Sequence, residues 1–301
     1  MGPTDGNGAV DIVEAAPAKI NLALHVTGQR EDGYHLLDML VTFTEAGDVV
    51  RIRHADEDRF SISGRFASEL LQTDAASNLV LKARDSLRGY AKQLNIATKP
   101  VAIHLEKNLP VASGIGGGSA DAAAALRGLI RHWQLDIDDK TLSDMALTLG
   151  ADVPMCLVSK SLIARGIGEE IILLPQFPQL AMVLVNPLKG VSTPQIFRLL
   201  KSKQNGPLPV PRDDHVESWL SMMAGLRNDL QPPAIALLPE IGDVLAMLGS
   251  VGADAARMSG SGATCFGIFS SWQKAAAAAV SLRERKPGWY VQETKTITGR
   301  R

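Results

Sequence analysis

The stretch Leu109 to Ala120, LPVASGIGGGSA, constrains this chain more than any other, with four glycines and two serines in twelve residues. Ahead of it Val101, Ile103 and Leu105 alternate with Ala102, His104 and Glu106, the period of a half-buried strand. Behind it Leu126, Leu129, Ile130 and Trp133 follow helical spacing. The glycines therefore fall between a strand and a helix N-terminus, with Ser119 as the expected N-cap. Such a place suits an anion, because the first helical N–H groups lack internal partners and the dipole adds partial positive charge. Glycine also keeps a Cβ out of the way of a phosphate. A plain flexible loop is the bland alternative, and it does not account for a capped, alanine-rich helix directly behind the glycines.

Two common glycine motifs fail to fit. A Walker A loop needs Gly-Lys before Ser or Thr, and no Gly-Lys occurs in the chain. A dinucleotide fingerprint places its first glycine directly after the strand, whereas Glu106 to Ser113 intervene here.

The remaining bounds are general. A chain of 301 residues exceeds the size at which one core keeps growing, so two domains are expected. With 46% apolar and 21% charged residues the composition is that of a soluble globular protein. A net charge of −1 gives nucleic-acid binding no electrostatic support. Cys156 and Cys265 lie far apart and read as buried thiols of a cytoplasmic protein, with neither metal spacing nor a disulfide framework. No apolar run reaches the length of a membrane span. Residues 1–8 read as a disordered leader without signal-peptide character.

Along the chain, Ile20, Leu22, Leu24 and Val26 alternate with Lys19, Asn21, Ala23 and His25. This predicts a strand starting after Pro17, with Lys19 and Asn21 on its polar face. A solvated strand-end lysine is the ordinary fate of such a residue. Gly28 to Gly33 reads as a turn, followed by Tyr34 and His35. Met39 to Phe43, Val49 to Arg53 and Phe60 to Ser63 read as short strands, and Asn78 to Gly89 as a helix. A helix through Leu142 and Leu149 closes at Gly150, expected at C′, which leaves Asp152 just beyond its end. Ser161 to Ala164 and Glu170 to Leu174 read as a hairpin, and Pro175 to Pro178 as a domain boundary. The second part opens with a strand at Met182 to Val185. A loop over Lys201 to Asp214, a helix around Ile241 to Leu248, a tight Ser259 to Gly262 loop, a strand at Cys265 to Phe269, a helix over Trp272 to Arg285 and a last strand from Tyr290 complete the pattern.

Three separated segments together resemble one superfamily. They are PAKINLAL (Pro17 to Leu24), LPVASGIGGGSADAA (Leu109 to Ala123) and RMSGSGATCFGIF (Arg257 to Phe269). They look like the three motifs of the GHMP kinases, which include galactokinase, homoserine kinase, mevalonate kinase and phosphomevalonate kinase. TGQREDGYHLLDML (Thr27 to Leu40) and LGADVPMCL (Leu149 to Leu157) resemble the branch that phosphorylates 4-diphosphocytidyl-2-C-methyl-D-erythritol in the non-mevalonate isoprenoid pathway. The resemblance implies an α/β (α+β) two-domain fold. Residues 9–176 would form the nucleotide-binding α/β domain, and residues 177–301 a ferredoxin-like α+β domain.

It also implies the chemistry. ATP, carrying Mg²⁺, would lie over Pro110, Val111, Ala112, Ser113, Gly114, Ile115, Gly116, Gly117, Gly118, Ser119 and Ala120. Ser259, Gly260, Ser261 and Gly262 would close the far side of the phosphates, with Asn78 and Lys107 near the adenine. Asp152 matches the catalytic aspartate and Lys19 its lysine partner. Asn21, Tyr34, His35 and Phe197 would bind the small-molecule acceptor, its cytidine end held between Tyr34 and His35 on one side and Phe197 on the other. Neither a nucleic acid nor a membrane is an implied partner, and oligomeric state is not legible. Ser119 is a candidate ligand of Mg²⁺, but no glutamate stands out as its companion, so the metal's protein ligands stay open. Phosphoryl transfer asks chiefly for positioning and charge stabilisation, and a weak, well-placed carboxylate suffices where the acceptor proton leaves late. Another GHMP kinase of the homoserine or mevalonate type and a non-catalytic nucleotide-binding module are the alternatives.

Overall fold

A computed structural model describes residues 11–72, 77–209 and 216–298. The expected leader, residues 1–8, lies outside the described residues, as does the end of the Lys201 to Asp214 loop. The chain divides into two compact units. The first comprises Met1–Ala18, Gly47–Val111 and Gly116–Val158, the second Lys19–Ala46, Ala112–Ile115 and Ser159–Arg301. Two long strands, β1 (Ile12–Gln29) and β2 (His35–His54), pair with each other and contribute to both units.

The first unit adds β3 (Arg59–Ser63), α1 (Ala67–Leu71), α2 (Leu79–Gln93), β4 (Val101–Glu106), α3 (Gly117–Trp133), α4 (Asp139–Leu149) and α5 (Val153–Val158). Val49–His54 of β2 run antiparallel to β4, which runs parallel to β3. The alternation read in β4 is present: Val101, Ile103 and Leu105 are buried and their neighbours half-buried. Helix α3 packs against α2 and α5. Its run Ala122, Ala123, Ala124 and Ala125 is fully buried, and small side chains at those positions let the neighbouring helices come close. A Cβ at Gly128 would stand 2.6 Å from Ile52 Cδ1, so that position too is held to glycine by packing.

The second unit adds β5 (Leu162–Gly166) and β6 (Glu170–Leu173), the expected hairpin, with β5 antiparallel to Leu37–Val41 of β2. It continues with β7 (Ala181–Asn186), α6 (Thr193–Arg198), α7 (Val216–Gly225), α8 (Gln231–Leu237), α9 (Glu240–Ser250), β8 (Ala255–Met258), β9 (Cys265–Phe269), α10 (Trp272–Arg285) and β10 (Tyr290–Lys295). These strands form an antiparallel sheet in the order β10-β7-β9-β8. Helices cross over between β7 and β8 and between β9 and β10, which is the ferredoxin-like arrangement that the resemblance implies. Among the described residues no single helix is long and apolar enough to cross a membrane.

Four local expectations need correction. Pro17 does not precede the first strand; it lies within β1, which starts at Ile12. Opposite it a Cβ on Gly47 would meet Ala16 O at 2.5 Å and Pro17 Cα at 2.8 Å, so a glycine lets β2 pass close to the proline. The two strands expected at Met39 to Phe43 and Val49 to Arg53 are one, because Thr44 to Asp48 keep strand conformation. Ser119 is not the N-cap of α3. That position belongs to Gly116, in the left-handed region at φ 63°, and Ser119 is the third residue of the helix. Gly150 ends α4 in an extended conformation rather than a left-handed one.

Candidate functional site

The three motif segments meet through hydrogen bonds inside the second unit. The Lys19 N–H donates to Ile115 O at 2.9 Å. The Asn21 N–H donates to Ser259 Oγ at 3.0 Å, and that hydroxyl donates to Gly114 O at 3.0 Å. The Thr264 N–H donates to Ser113 O at 3.1 Å. One fully buried serine thus ties strand β1 to both glycine loops. The loops also touch backbone to backbone. A Cβ on Gly114 would lie 2.6 Å from Gly262 O, and one on Gly260 would lie 2.7 Å from Gly114 O. Both residues have positive φ as well, so two constraints demand glycine there. Asn228 Nδ2 donates to Met258 O and Gly260 O, each at 2.8 Å, which fixes the second loop from below. Ser261 Oγ, by contrast, shares a 2.7 Å bond with Thr193 Oγ at the surface.

Lys19 is not the solvated strand-end lysine that its type suggests. It is 4% exposed, and Asn21 is 0% exposed. From Ala16 to Val26 both faces of β1 are buried, so the period-two reading gave the right strand and the wrong environment.

In the first unit the glycine loop leads into α3. The Ala120 N–H already reaches Gly116 O at 2.8 Å, so the preceding helical N–H groups lie in the turn that has no intrahelical acceptor. Gly118 is exposed, and a Cβ there would come no nearer than 3.7 Å to Leu79 Cδ1. Gly117 is different: it is buried, and its Cβ would stand 3.0 Å from Lys107 Nζ. Asp152 is half-buried at the entry to α5, where its carbonyl accepts the Cys156 N–H at 3.1 Å.

Lys107, expected near the adenine, lies in a buried ion cluster. It is 2% exposed, and its ammonium bridges the buried carboxylates of Asp48 and Asp121, the latter at 2.7 Å. Its N–H donates to Ser63 O and its carbonyl accepts from Phe66. Both main-chain groups and two of three ammonium hydrogens are therefore committed within the protein. Asp48 also accepts the N–H groups of Asn108 and Leu109 through Oδ1. The cluster joins β2, the end of β4, the start of the glycine loop and the second turn of α3. Burial, with Asp48 adding to it, pushes the Asp121 carboxyl up to about 8 against the pull of Lys107, and Asp121 Oδ1 has no hydrogen-bond partner. Asn78, assigned to the same adenine region, is the N-cap of α2, its Oδ1 accepting from Val80 N–H at 2.9 Å.

His35 and Phe197, expected on opposite sides of the cytidine end, lie against each other. Their rings stack on each other, centroids 4.6 Å apart and planes at 25°, which leaves no slot for a base between them. Tyr34 is 62% exposed.

Asp48 and Asp121 escaped the sequence reading because their partner lies 59 and 14 residues away. The one available signal was a carboxylate at a core-facing position of an alanine-rich helix. Among the described residues no group of three His, Cys, Asp or Glu side chains is placed to hold a metal ion.

Comparison with known proteins fits this geometry. Sequence models of two domain families match, GHMP kinases N terminal domain over residues 78–160 and GHMP kinases C terminal over residues 214–288. The 4-diphosphocytidyl-2-C-methyl-D-erythritol kinase of Agrobacterium fabrum is 61% identical over 293 residues, covering 97% of this chain and 98% of the relative. The enzyme of the same name from Rhizobium leguminosarum is 58% identical, with 97% of each chain covered. A crystal structure of 4-(cytidine 5'-diphospho)-2C-methyl-D-erythritol kinase superposes with a TM-score of 0.78 at 31% identity, covering 95% of this chain and 99% of the other. Homoserine kinase from Cytophaga hutchinsonii, at 20% identity and a TM-score of 0.69, shares the fold. The chain belongs to the GHMP kinases, within the family of the 4-diphosphocytidyl-2-C-methyl-D-erythritol kinases.

Proposed function

We propose that the protein transfers the γ-phosphoryl group of ATP to the 2-hydroxyl of 4-diphosphocytidyl-2-C-methyl-D-erythritol in the cytoplasm. The observation that carries the reading is the hydrogen-bonded junction of Asn21, Gly114 and Ser259, because it draws together the three motif segments on which the family resemblance rests. The relatives at 61% and 58% identity bear the name of that kinase over nearly their whole length.

The roles follow from the chemistry of each group. The N–H groups of the first turn of α3 and of the Ala112–Ile115 segment bind the nucleotide phosphates. Exposed Gly118 admits them without a Cβ in the path. Ser119 would be the candidate protein ligand of a Mg²⁺ carried on the nucleotide, which would supply charge neutralisation at the phosphate oxygens. Asp152 receives the proton of the acceptor hydroxyl, and Lys19 favours the alkoxide that develops as the proton leaves. The stacked His35–Phe197 pair and the exposed Tyr34 bind the cytidine end. A base held between Tyr34 and His35 on one side and Phe197 on the other requires the stacked His35 and Phe197 rings to part.

A coupled assay for ADP formation with four acceptors tests the reading. Turnover is expected with 4-diphosphocytidyl-2-C-methyl-D-erythritol and not with homoserine, mevalonate or galactose. Equal turnover of the same acceptor stripped of its cytidine, run as a fifth substrate, would refute recognition of the base.

A further inference from the structure

Among the described residues five buried side-chain atoms lack a hydrogen-bond partner: Asn21 Oδ1, His25 Nε2, His35 Nε2, Asp121 Oδ1 and Trp219 Nε1. The first three belong to one place. Asn21 and His25 are four apart on β1 and so share a face, about 13 Å from each other at strand rise. Asn21 Nδ2 donates to Met39 Sδ at 3.3 Å, which puts Met39, and with it His35 four residues earlier on β2, on that same face. The hairpin bond from Arg30 N–H to Tyr34 O sets His35 beyond His25, toward the turn. Along the strand the order is therefore Lys19, Asn21, His25, His35. Buried polar groups in folded proteins are nearly always paired, and unpaired ones ask for an explanation. Three on one face of one hairpin ask for a ligand.

His25 has no place among the expected site residues, yet its state is the best defined of the three. It is 1% exposed. Its Nδ1 lies 3.0 Å from Gly206 O, and a carbonyl can only accept, so Nδ1 carries the proton. The Gly206 carbonyl is itself fixed by Arg227 Nη2 at 3.0 Å. Nε2 is therefore a bare acceptor, and it matches only a donor. Burial, aided by Arg227, holds the imidazole below its ordinary pKa against the opposing Gly206 carbonyl, Asp229 and Asp38, which keeps that lone pair available at neutral pH.

We infer that His25 Nε2 accepts a hydrogen bond from a ribose hydroxyl of the cytidine diphosphate-linked acceptor, making His25 a specificity-determining residue of the acceptor site. This rests on the acceptor assignment proposed above. With the reacting hydroxyl at the Lys19–Asn21 end and the base at His35, the sugar of the nucleotide is the donor-bearing part that falls between. The diphosphate, which has acceptors alone, is a poor match for a bare nitrogen.

Two substitutions separate the ring's two nitrogens. His25→Asn keeps a donor near the Nδ1 position for Gly206 and removes the Nε2 acceptor. His25→Gln keeps an acceptor near the Nε2 position and gives up the Gly206 bond. The expected result for His25→Asn is a Tm close to wild type, KM for the acceptor raised ~10- to 100-fold and KM for ATP unchanged. His25→Gln is expected to lower Tm and leave the acceptor KM closer to wild type. The 2′-deoxy and 3′-deoxy cytidine analogues of the acceptor complete the test. One of them should lose affinity for the wild-type enzyme to a similar extent, and its loss should not multiply with that of His25→Asn. An acceptor KM for His25→Asn within twofold of wild type, or two losses that multiply in full, overturns the inference while the kinase assignment stands. Should His25→Asn fail to fold, the analogues decide alone: full affinity of the wild-type enzyme for both refutes it. Absence of wild-type turnover with the intact acceptor would instead refute the function itself.

Discussion

The buried cluster of Lys107, Asp48 and Asp121 makes a sharp prediction about stability and pH. Two carboxylates face one ammonium, with side chains 3% exposed for Lys107, 0% for Asp48 and 4% for Asp121. Asp48 receives the ammonium and two main-chain N–H groups, whereas Asp121 has the ammonium through Oδ2 and nothing at Oδ1. The carboxyl that keeps a proton is accordingly Asp121, raised from 3.8 to about 8. The folded state then binds one more proton than the unfolded state between those values. The associated stability is fully present below pH 3.8 and is lost as pH rises through about 8. A shift of roughly four units at about 1.4 kcal/mol each sets a ceiling near ~6 kcal/mol, a large share of a typical domain's ~5–15 kcal/mol. Asp121→Asn keeps the shape and cannot ionise. Urea unfolding of wild type and variant at several pH values from about 5 to 9 isolates the effect of the cluster, because titrating groups outside it cancel in the difference. The wild type should lose at least ~2 kcal/mol relative to the variant between about pH 5 and 8, and the two should level off above that. A difference that stays flat across this range, within the ~10–15% uncertainty of extrapolation, would show that Asp121 is ionised throughout and that the cluster holds no extra proton.

Other expectations follow from the same geometry. Gly117→Val should destabilise the fold as well as the nucleotide site, since its side chain enters the space of Lys107 Nζ. Gly118→Ala should leave Tm within a few degrees of wild type and raise KM for ATP, and the contrast in thermal unfolding between the two glycines checks both halves. Asp152→Asn should lower kcat by ~10²–10⁴-fold with little change in KM for ATP; Lys19→Met should act similarly, and steady-state kinetics of the double variant should show less than the product of the two losses. Tyr34→Ala and Phe197→Ala should each raise KM for the acceptor, consistent with ~1–3 kcal/mol of stacking per base, while a KM for ATP that moves equally in either variant would place these rings elsewhere.

Local signals carried much of the fold. Helix α10 has the limits read from its pattern, Trp272 to Arg285, because a serine cap and an alanine-rich run are statements about neighbouring residues. The β5–β6 hairpin and the strand–glycine–helix order around Gly116 were legible for the same reason. What escaped depends on partners far along the chain. Burial on both faces of β1 cannot be read from its alternation, so Lys19 looked solvated. The ion cluster of Lys107 was not legible because the two carboxylates that neutralise it come from β2 and α3. Pro17 looked like a strand boundary because the glycine that accommodates it is at position 47. The cap of α3 fell to Gly116 rather than Ser119 because the loop needs a left-handed residue at that corner, a demand set by backbone geometry and not by side-chain capping strength.

The buried alanines of α3 have a bearing on how this enzyme can be altered. Positions 122 to 125 have no accessible surface, and α2 and α5 lie directly against the helix. An added methyl group there meets packed neighbours rather than solvent, and overpacking shifts the backbone; the first turn of that helix is the glycine segment itself. The placement of the glycine loop, and with it the proposed nucleotide site, is thereby tied to side-chain volume one to two turns away. Ala→Val or Ala→Gly at these sites would act as a fine adjustment of the loop, shifting affinity for the nucleotide without altering any residue that touches it. An engineered or naturally drifting relative that needs a different phosphate donor has a route that leaves the chemical groups intact: resize the helix behind the loop.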